Sequence, residues 1–560
     1  MKLTTSFASF LIVISTVFTL IDAVDSRRSF SPQSINLWRL EKREKASADS
    51  RKAPHIVLQD TGHDDFPSAA TVSSRAPQFP EQHFTQPIDH HDHTLGTFSQ
   101  RYWVNARHYD PGSGGPVIVL DGGETSGEDR LPFLDTGIVE ILANATGGVG
   151  VVLEHRYYAG ESIPVPDFST DNLRWLNNDQ AAADSANFMA NVKFLDIDEN
   201  LTSPHVPWIY YGGSYAGARA AHMKILYPEL VFGSIASSAV THAVLSNWEY
   251  YDVIRQAADP RCSAYIVNAI ETIDILLEDP NVKDSVKELF GLKNLKHDDD
   301  FASVLGIPLE YWQGKNWDPA VGDTTFDEFC KALNKPIIGS AHIADLPVGH
   351  ENRLLTLPWG SQVDFSFSNY ARYIKENLVK SCLDANLTVE DCFGTYNDTA
   401  FLDTSLDQDW RPWTFQVCTE WGFFDTAPLD PTYPRIVSKL LTLDYASKIC
   451  RQAYPPGKYF TVPPMPNITA VNALGGFAIA ADKLAFIDGE VDPWRPCTPH
   501  SQYAKDREDT TLRPFKLIPC GVHHYDENGL PNIADEPPQI QKIHHEMINF
   551  VLEWLKDFKK

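Results

Sequence analysis

Trp208-Ile209-Tyr210-Tyr211-Gly212-Gly213-Ser214-Tyr215-Ala216-Gly217-Ala218-Arg219-Ala220-Ala221 runs from an apolar, strand-like segment through glycine and serine into a helix-forming segment. That order is the pattern of a nucleophile elbow, a sharp strand-to-helix turn that lifts a serine hydroxyl above the end of a sheet. Small flanking residues let strand and helix approach closely enough to expose the hydroxyl. The helix that follows brings unpaired N–H groups and a positive dipole end to the place where an oxyanion would develop. Ala216 stands where the pattern has a second glycine, and Gly217 follows it. A glycine-rich turn with a structural serine is the plainer reading of the same residues.

An elbow of this kind calls for an acid and then a histidine further along the chain. Phe486-Ile487-Asp488-Gly489-Glu490-Val491-Asp492-Pro493-Trp494 ends an apolar run in a turn, and Leu517-Ile518-Pro519-Cys520-Gly521-Val522-His523-His524-Tyr525-Asp526 places paired histidines after another short apolar run. The acid would hold one imidazole nitrogen while the other takes the serine proton. Asp492 and Asp488 both remain candidates for it on position alone.

These motifs, together with Thr97-Phe98-Ser99-Gln100-Arg101-Tyr102-Trp103, Glu154-His155-Arg156-Tyr157-Tyr158 and Cys418-Thr419-Glu420, give a chain that resembles the post-proline serine peptidases: prolyl carboxypeptidase, dipeptidyl peptidase II and secreted fungal prolyl endopeptidases. The likeness extends from about residue 80 onward. It implies an α/β-hydrolase fold with a mostly parallel sheet and a large, mainly helical inserted cap, and it places the nucleophile on Ser214, the acid on Asp492 and the base on His523. Asp488 stands where the family commonly has asparagine. The resemblance implies peptide substrates containing proline, and leaves open carboxypeptidase, dipeptidyl peptidase or endopeptidase cleavage. A carboxylesterase or lipase on the same fold, or a binding protein that has kept the elbow, are the alternatives.

The remaining site candidates follow from these. Tyr215, as the residue after the serine, is expected to offer one oxyanion N–H, and Gly122 and Gly123, after the strand ending at Leu120, the other. A proline ring is recognised by shape, because it has no N–H to read, so an aromatic slot is expected. Trp494 is the candidate wall, with Trp421 and Phe423 from the insertion; Glu124 is a candidate contact for a substrate amine. Ordinary aromatic core is the plainer reading of these rings. Asp89-His90-His91-Asp92-His93 and His544-His545-Glu546 lack metalloenzyme spacing and read as hydrogen-bonded structure. No metal or organic cofactor is expected.

Short apolar runs at residues 101–105, 116–120 and 150–154 and near Ile209 alternate with helical patterns, as in a parallel α/β sheet. About half the chain separates Ser214 from Asp492, far more than one or two strand–helix units need. An insertion over residues 242–430 is therefore expected, between hydrolase parts at 81–241 and 431–560. The apolar run Phe7–Ile21 behind Lys2 reads as a signal peptide over residues 1–23, and residues 24–80, without steady periodicity, as a propeptide or flexible arm. Sequons begin at Asn144, Asn200, Asn386, Asn397 and Asn467, which in a secretory chain are glycosylation acceptors. Eight cysteines without a CxxC pair point to disulfides, with Cys382–Cys392 and Cys497–Cys520 as local bridges. Secretion is the expected destination, a lysosome or vacuole the alternative. A net charge of −27 and a pI near 5.0 exclude nucleic acid and anionic membranes as natural partners. The oligomeric state is not legible.

Overall fold

The computed structural model describes residues 79–335 and 347–559; the expected signal peptide and all but the end of the expected arm lie outside them. Eight strands form one sheet: β1 (Gln82–Pro87), β2 (Thr97–Asn105), β3 (Val117–Asp121), β4 (Val149–Leu153), β5 (Trp208–Gly213), β6 (Gly233–Ser237), β7 (Leu484–Gly489) and β8 (Phe515–Ile518). Their spatial order is β1-β2-β4-β3-β5-β6-β7-β8. Only β2 runs against its neighbours. From β4 through β8 every pairing is parallel, so this is an α/β-hydrolase fold.

The central strands are apolar throughout because both faces are covered. On one face Val117, Val119, Trp208, Tyr210, Leu484 and Phe486 pack with residues of the helices Asn178–Asn191 and Tyr215–Leu226. On the other, Ile118, Leu120, Ile209, Tyr211, Ala485 and Ile487 pack with the helices Ile138–Thr146 and Pro538–Leu555. Alternation by two along each strand distributes the same run to two separate cores. The C-terminal helix packs on the sheet through Ile540, Ile543, Met547 and Phe550.

Register brings four strand ends level. Gly213 pairs with Ser237 and Gly489 with Ile518, while Ile487 pairs with Ser237. The loops leaving β5, β6, β7 and β8 therefore open on the same C-terminal edge, the customary place for a site in a parallel sheet.

Between β6 and β7 the described chain is mostly helical, and it rejoins the sheet only at Leu484. One apolar cluster belongs largely to this insertion and is built from Tyr250, Ile270, Phe290, Phe301, Phe329 and Tyr370 among others. A second joins the insertion to the elbow helix: Trp410, Trp413, Trp421 and Phe423 meet Tyr215 and Ala218. Cys262–Cys330, Cys382–Cys392 and Cys418–Cys450 are bridged. The expected Cys497–Cys520 bridge is not formed. Cys497 is buried with its sulfur against Asn247 Oδ1, whereas Cys520 occupies an exposed left-handed turn (φ 55°) just after β8. All five sequon asparagines are exposed. Among the described residues no helix is long and apolar enough to cross a membrane.

Candidate active site

The turn after β5 is sterically dictated. A Cβ on Gly212 would lie 2.1 Å from the Ala216 carbonyl oxygen, and one on Gly217 2.4 Å from the Ser237 carbonyl oxygen. Neither site admits a side chain. The glycine the elbow needs is thus Gly217, where helix crosses β6, and the Ala216 methyl group fits because Gly212 and Gly123 leave it room. Ser214 adopts φ 58°, ψ −121°, a strained conformation for a residue with a side chain, of the kind that concentrates at functional sites. Its own N–H donates to Ser237 O, and its carbonyl accepts from Ala218 N. Beneath it, Arg219 Nε donates to Asp121 Oδ2 at 2.7 Å, so a buried ion pair pins the elbow helix to the end of β3. Removing one partner of such a pair typically costs about 3–5 kcal/mol.

His523 Nε2 lies 2.9 Å from Ser214 Oγ. Its Nδ1 lies 3.0 and 2.9 Å from the two oxygens of Asp492. Three side chains from three strand ends form one continuous hydrogen-bonded line. Burial works against charge on Asp492, but the His523 imidazole and its hydrogen bond, the Trp494 N–H and the Ser238 hydroxyl together hold its carboxyl below the usual range. Asp488 is engaged elsewhere: its Oδ2 accepts from Thr498 Oγ1 and pairs with His500 Nδ1, both at 2.7 Å. His524 turns away, its Nδ1 on Glu527 and its N–H on Ser238 Oγ. Ser238, in a left-handed conformation at the end of β6, thus contacts both loops. Nothing in its sequence surroundings marks it.

The oxyanion expectation needs correction. Tyr215 opens its helix, so its N–H has no carbonyl one turn back and stays available. The Gly122 N–H, however, donates to Leu153 O at 2.8 Å, and that of Gly123 to Asp121 Oδ1 at 3.0 Å. Both are occupied, because the Gly122–Gly123 turn is fastened to β4 and to the same aspartate that anchors Arg219.

Trp494 is half-buried, its ring centroid 6.3 Å from that of His523. Tyr250 and Phe423 meet it edge-on, each at 5.4 Å. Trp421, expected beside Trp494, is wholly buried, stacked behind Phe423 at 5.9 Å and edge-on to Tyr215 at 5.3 Å, so it is core behind Phe423. Burial raises the Glu124 carboxyl above its usual range against the pull of Arg130 and His523, and its Oε2 has no hydrogen-bond partner. The histidine-rich segment fastens the β1–β2 loop to the helix Asn178–Asn191: His90 Nε2 meets Asp184 at 2.7 Å, and Asp89 Oδ1 accepts from Gln180. His544 sits between Glu536 and the Asp526 carbonyl.

With this geometry in view, residues 86–547 match the model of the family described as "Serine carboxypeptidase S28". The chain belongs to the serine carboxypeptidase S28 family. As a member it is a serine-type peptidase, which agrees with the resemblance drawn from its motifs. It is 39% identical over 497 residues to the "Probable extracellular serine carboxypeptidase" of Arthroderma benhamiae, covering 86% of this chain and 67% of that protein. It is 29% identical to "Serine protease vicPb" of Bipolaris victoriae, covering 85% of this chain and 89% of that one. Among solved structures, the proline iminopeptidase of Mycobacterium smegmatis aligns at 11% identity and a TM-score of 0.34, covering 85% of this chain and 100% of that one.

Proposed function

We propose that this S28 peptidase is secreted and hydrolyses peptide bonds after proline through an acyl-enzyme, with Ser214 as nucleophile, His523 as base and then acid, and Asp492 as the group that orients and stabilises the imidazolium. The observation that carries this reading is the unbroken line Ser214 Oγ, His523 Nε2, His523 Nδ1, Asp492. In the acylation step the Ser214 oxygen attacks the scissile carbonyl as its proton passes to His523 Nε2. The tetrahedral oxyanion forms beside the Tyr215 N–H and the positive end of its helix. His523 then gives the proton to the departing amine, and water reverses the sequence to release the acid.

Preference for proline rests on the space beside His523. Trp494 packs beside His523 and edge-on to Tyr250 and Phe423, and a wall of this kind discriminates a compact pyrrolidine by shape. Secretion is supported by the name of the Arthroderma relative, by three bridges and by five exposed sequons. The test is product analysis by mass spectrometry on peptides carrying one proline at defined distances from either end, with simple esters alongside. Cleavage confined to the bond after proline supports the reading and reveals the mode. Hydrolysis of esters only would overturn it.

A further inference from the structure

The acid and the histidine stand on loops beyond the last paired residues of β7 and β8, Gly489 and Ile518. These loops bind one another, Val491 N–H donating to Gly521 O, and the sheet side reaches them through Ser238 and the Asp526 carboxyl, which accepts from the Tyr211 hydroxyl. Their opposite side is held by one short segment of the insertion. Trp312 Nε1 donates to the carbonyl of Val491, the residue before Asp492, at 2.9 Å. Trp317 Nε1 donates to the carbonyl of Tyr525, two residues after His523, at 3.0 Å. Between them, Gln313 Oε1 accepts from Trp494 Nε1 at 2.7 Å and from the Tyr250 hydroxyl at 3.0 Å.

We propose that Trp312, Gln313 and Trp317 are positioning residues for catalysis: the insertion sets the alignment of Asp492 and His523 in addition to covering them. This rests on the reading of Ser214, His523 and Asp492 given above. The indole of Trp312 is itself fixed, edge-on to Phe326 at 5.0 Å and beneath Lys315 Nζ at 4.7 Å. Phe326 belongs to the helix Thr325–Leu333, which Cys330 bridges to Cys262. A rigid path therefore runs from the interior of the insertion to the peptide group next to the acid. Packing follows the same path. The insertion's own apolar cluster takes in Val522, and Val491, Trp494 and Tyr525 pack against it; all four lie within two residues of Asp492 or His523. Trp317 in turn packs against the sheet core. A displacement of the segment carrying Trp312, Gln313 and Trp317 would draw on the backbone of both loops, whereas the backbone bond that fixes Ser214 runs to β6. Errors of about 1 Å in a reacting geometry cost on the order of a hundredfold in rate, so partial slackening is expected to be visible in turnover.

The experiment compares Trp312→Phe and Trp317→Phe, which keep an aromatic ring but lose the donor, with Trp312→His, which keeps a ring N–H. Gln313→Met removes the acceptor at similar size. Active enzyme is counted by stoichiometric labelling with a fluorophosphonate, and kcat is expressed per labelled site. The expected result is a fall in kcat of about tenfold in each donor-less variant with KM little changed, and recovery of most of it in Trp312→His. A purely structural role lowers the number of labelled sites and the melting temperature but leaves kcat per site intact, and that outcome overturns the proposal, as does a change confined to KM. Ser214→Ala run in parallel separates the two levels. If it is inactive while the tryptophan and Gln313 variants keep full kcat per site, the positioning role alone fails; if it turns over normally, the underlying assignment fails.

Discussion

The two halves of the site are built by different means. The proposed nucleophile, Ser214, stands on a turn whose backbone is set by the sheet and its own helix: two glycines with no room for a Cβ, a backbone bond to β6 and a buried arginine–aspartate pair, with insertion side chains packed on Tyr215 behind it. Asp492 and His523, the proposed acid and base, stand on longer loops that hold each other and are gripped from the insertion. A strained serine needs a rigid backbone, which the sheet and the elbow helix supply. A proton relay needs two groups from separate strands kept in line, and here that alignment draws on residues about two hundred positions away in sequence.

Substitutions can break this contrast, the largest effects coming first. Ser214→Ala is expected to lower kcat by about 10⁴–10⁶-fold without loss of fold, and His523→Ala by a similar factor, because members of such a unit are not additive. His524→Ala should be far milder, since its ring faces Glu527. Kinetics on folded, monodisperse protein decide this; an inactive His524→Ala beside an active His523→Ala would exchange their roles.

The acid loop is tested next. Asp492→Asn is expected to cost on the order of 10⁴-fold in kcat, by presenting the imidazole with the wrong partner. Asp488→Asn should cost within about tenfold, its work being to fasten Thr498 and His500. Equal losses at both positions would mean that the loop's shape, and not one carboxylate, is what matters.

Trp494→Ala probes the boundary between the two regions. It should lower kcat/KM for a proline substrate about tenfold more than for its alanine counterpart, since a removed wall takes more contact from the larger ring. Loss of kcat alike for both substrates would place Trp494 with the loop supports instead.

The smallest effect is on stability, and its sign differs from one buried carboxyl to another. Glu420, where the insertion meets the helix Asn178–Asn191, is pushed up to about 7 by burial, against the Asn178 N–H. Burial likewise raises Asp526 to about 6. Both keep a proton in the folded state where the unfolded chain has released it, so the stability they confer is full at acid pH and is lost as pH rises from the ordinary carboxylate range toward about 7. Asp492, held low, behaves oppositely: its contribution is present above the ordinary aspartate value and lost as pH falls through its folded value. Melting temperature should therefore fall from mildly acid toward neutral pH, and Glu420→Gln should flatten that fall. An unchanged slope in the variant would refute Glu420 as its source.

The sequence reveals the elbow half far better than the other. Gly212, Ser214 and Gly217 mark the turn within a few residues even though Gly217 is crowded by Ser237 on β6, and the apolar runs that became β3, β4 and β5 are buried on both faces and so read as continuous. Asp492 could be told from Asp488 only by resemblance, since the two differ in what they meet across the β7–β8 loops. Cys382–Cys392 was readable because its partners are close in sequence; Cys262–Cys330 and Cys418–Cys450 join distant helices. Gly122 and Gly123 looked like free donors, but the bonds that occupy them come from Leu153 and from the Asp121 side chain. Trp421 carried no sign of being sealed behind Phe423. Trp312 and Trp317 had no signal at all, because an indole N–H finds its carbonyl only once the chain is folded.

The sheet's connectivity also has a consequence for the order of assembly. β6 is made with the first half of the protein, but the strand that pairs with its outer side, β7, follows only after the whole insertion. At synthesis rates of about 5–20 residues per second, β6 waits on the order of ten to fifty seconds as an open edge, a ready template for pairing with another chain. Compaction of the disulfide-bridged insertion during that interval, within a compartment that supplies oxidant and chaperones, would shield the edge until β7 closes it.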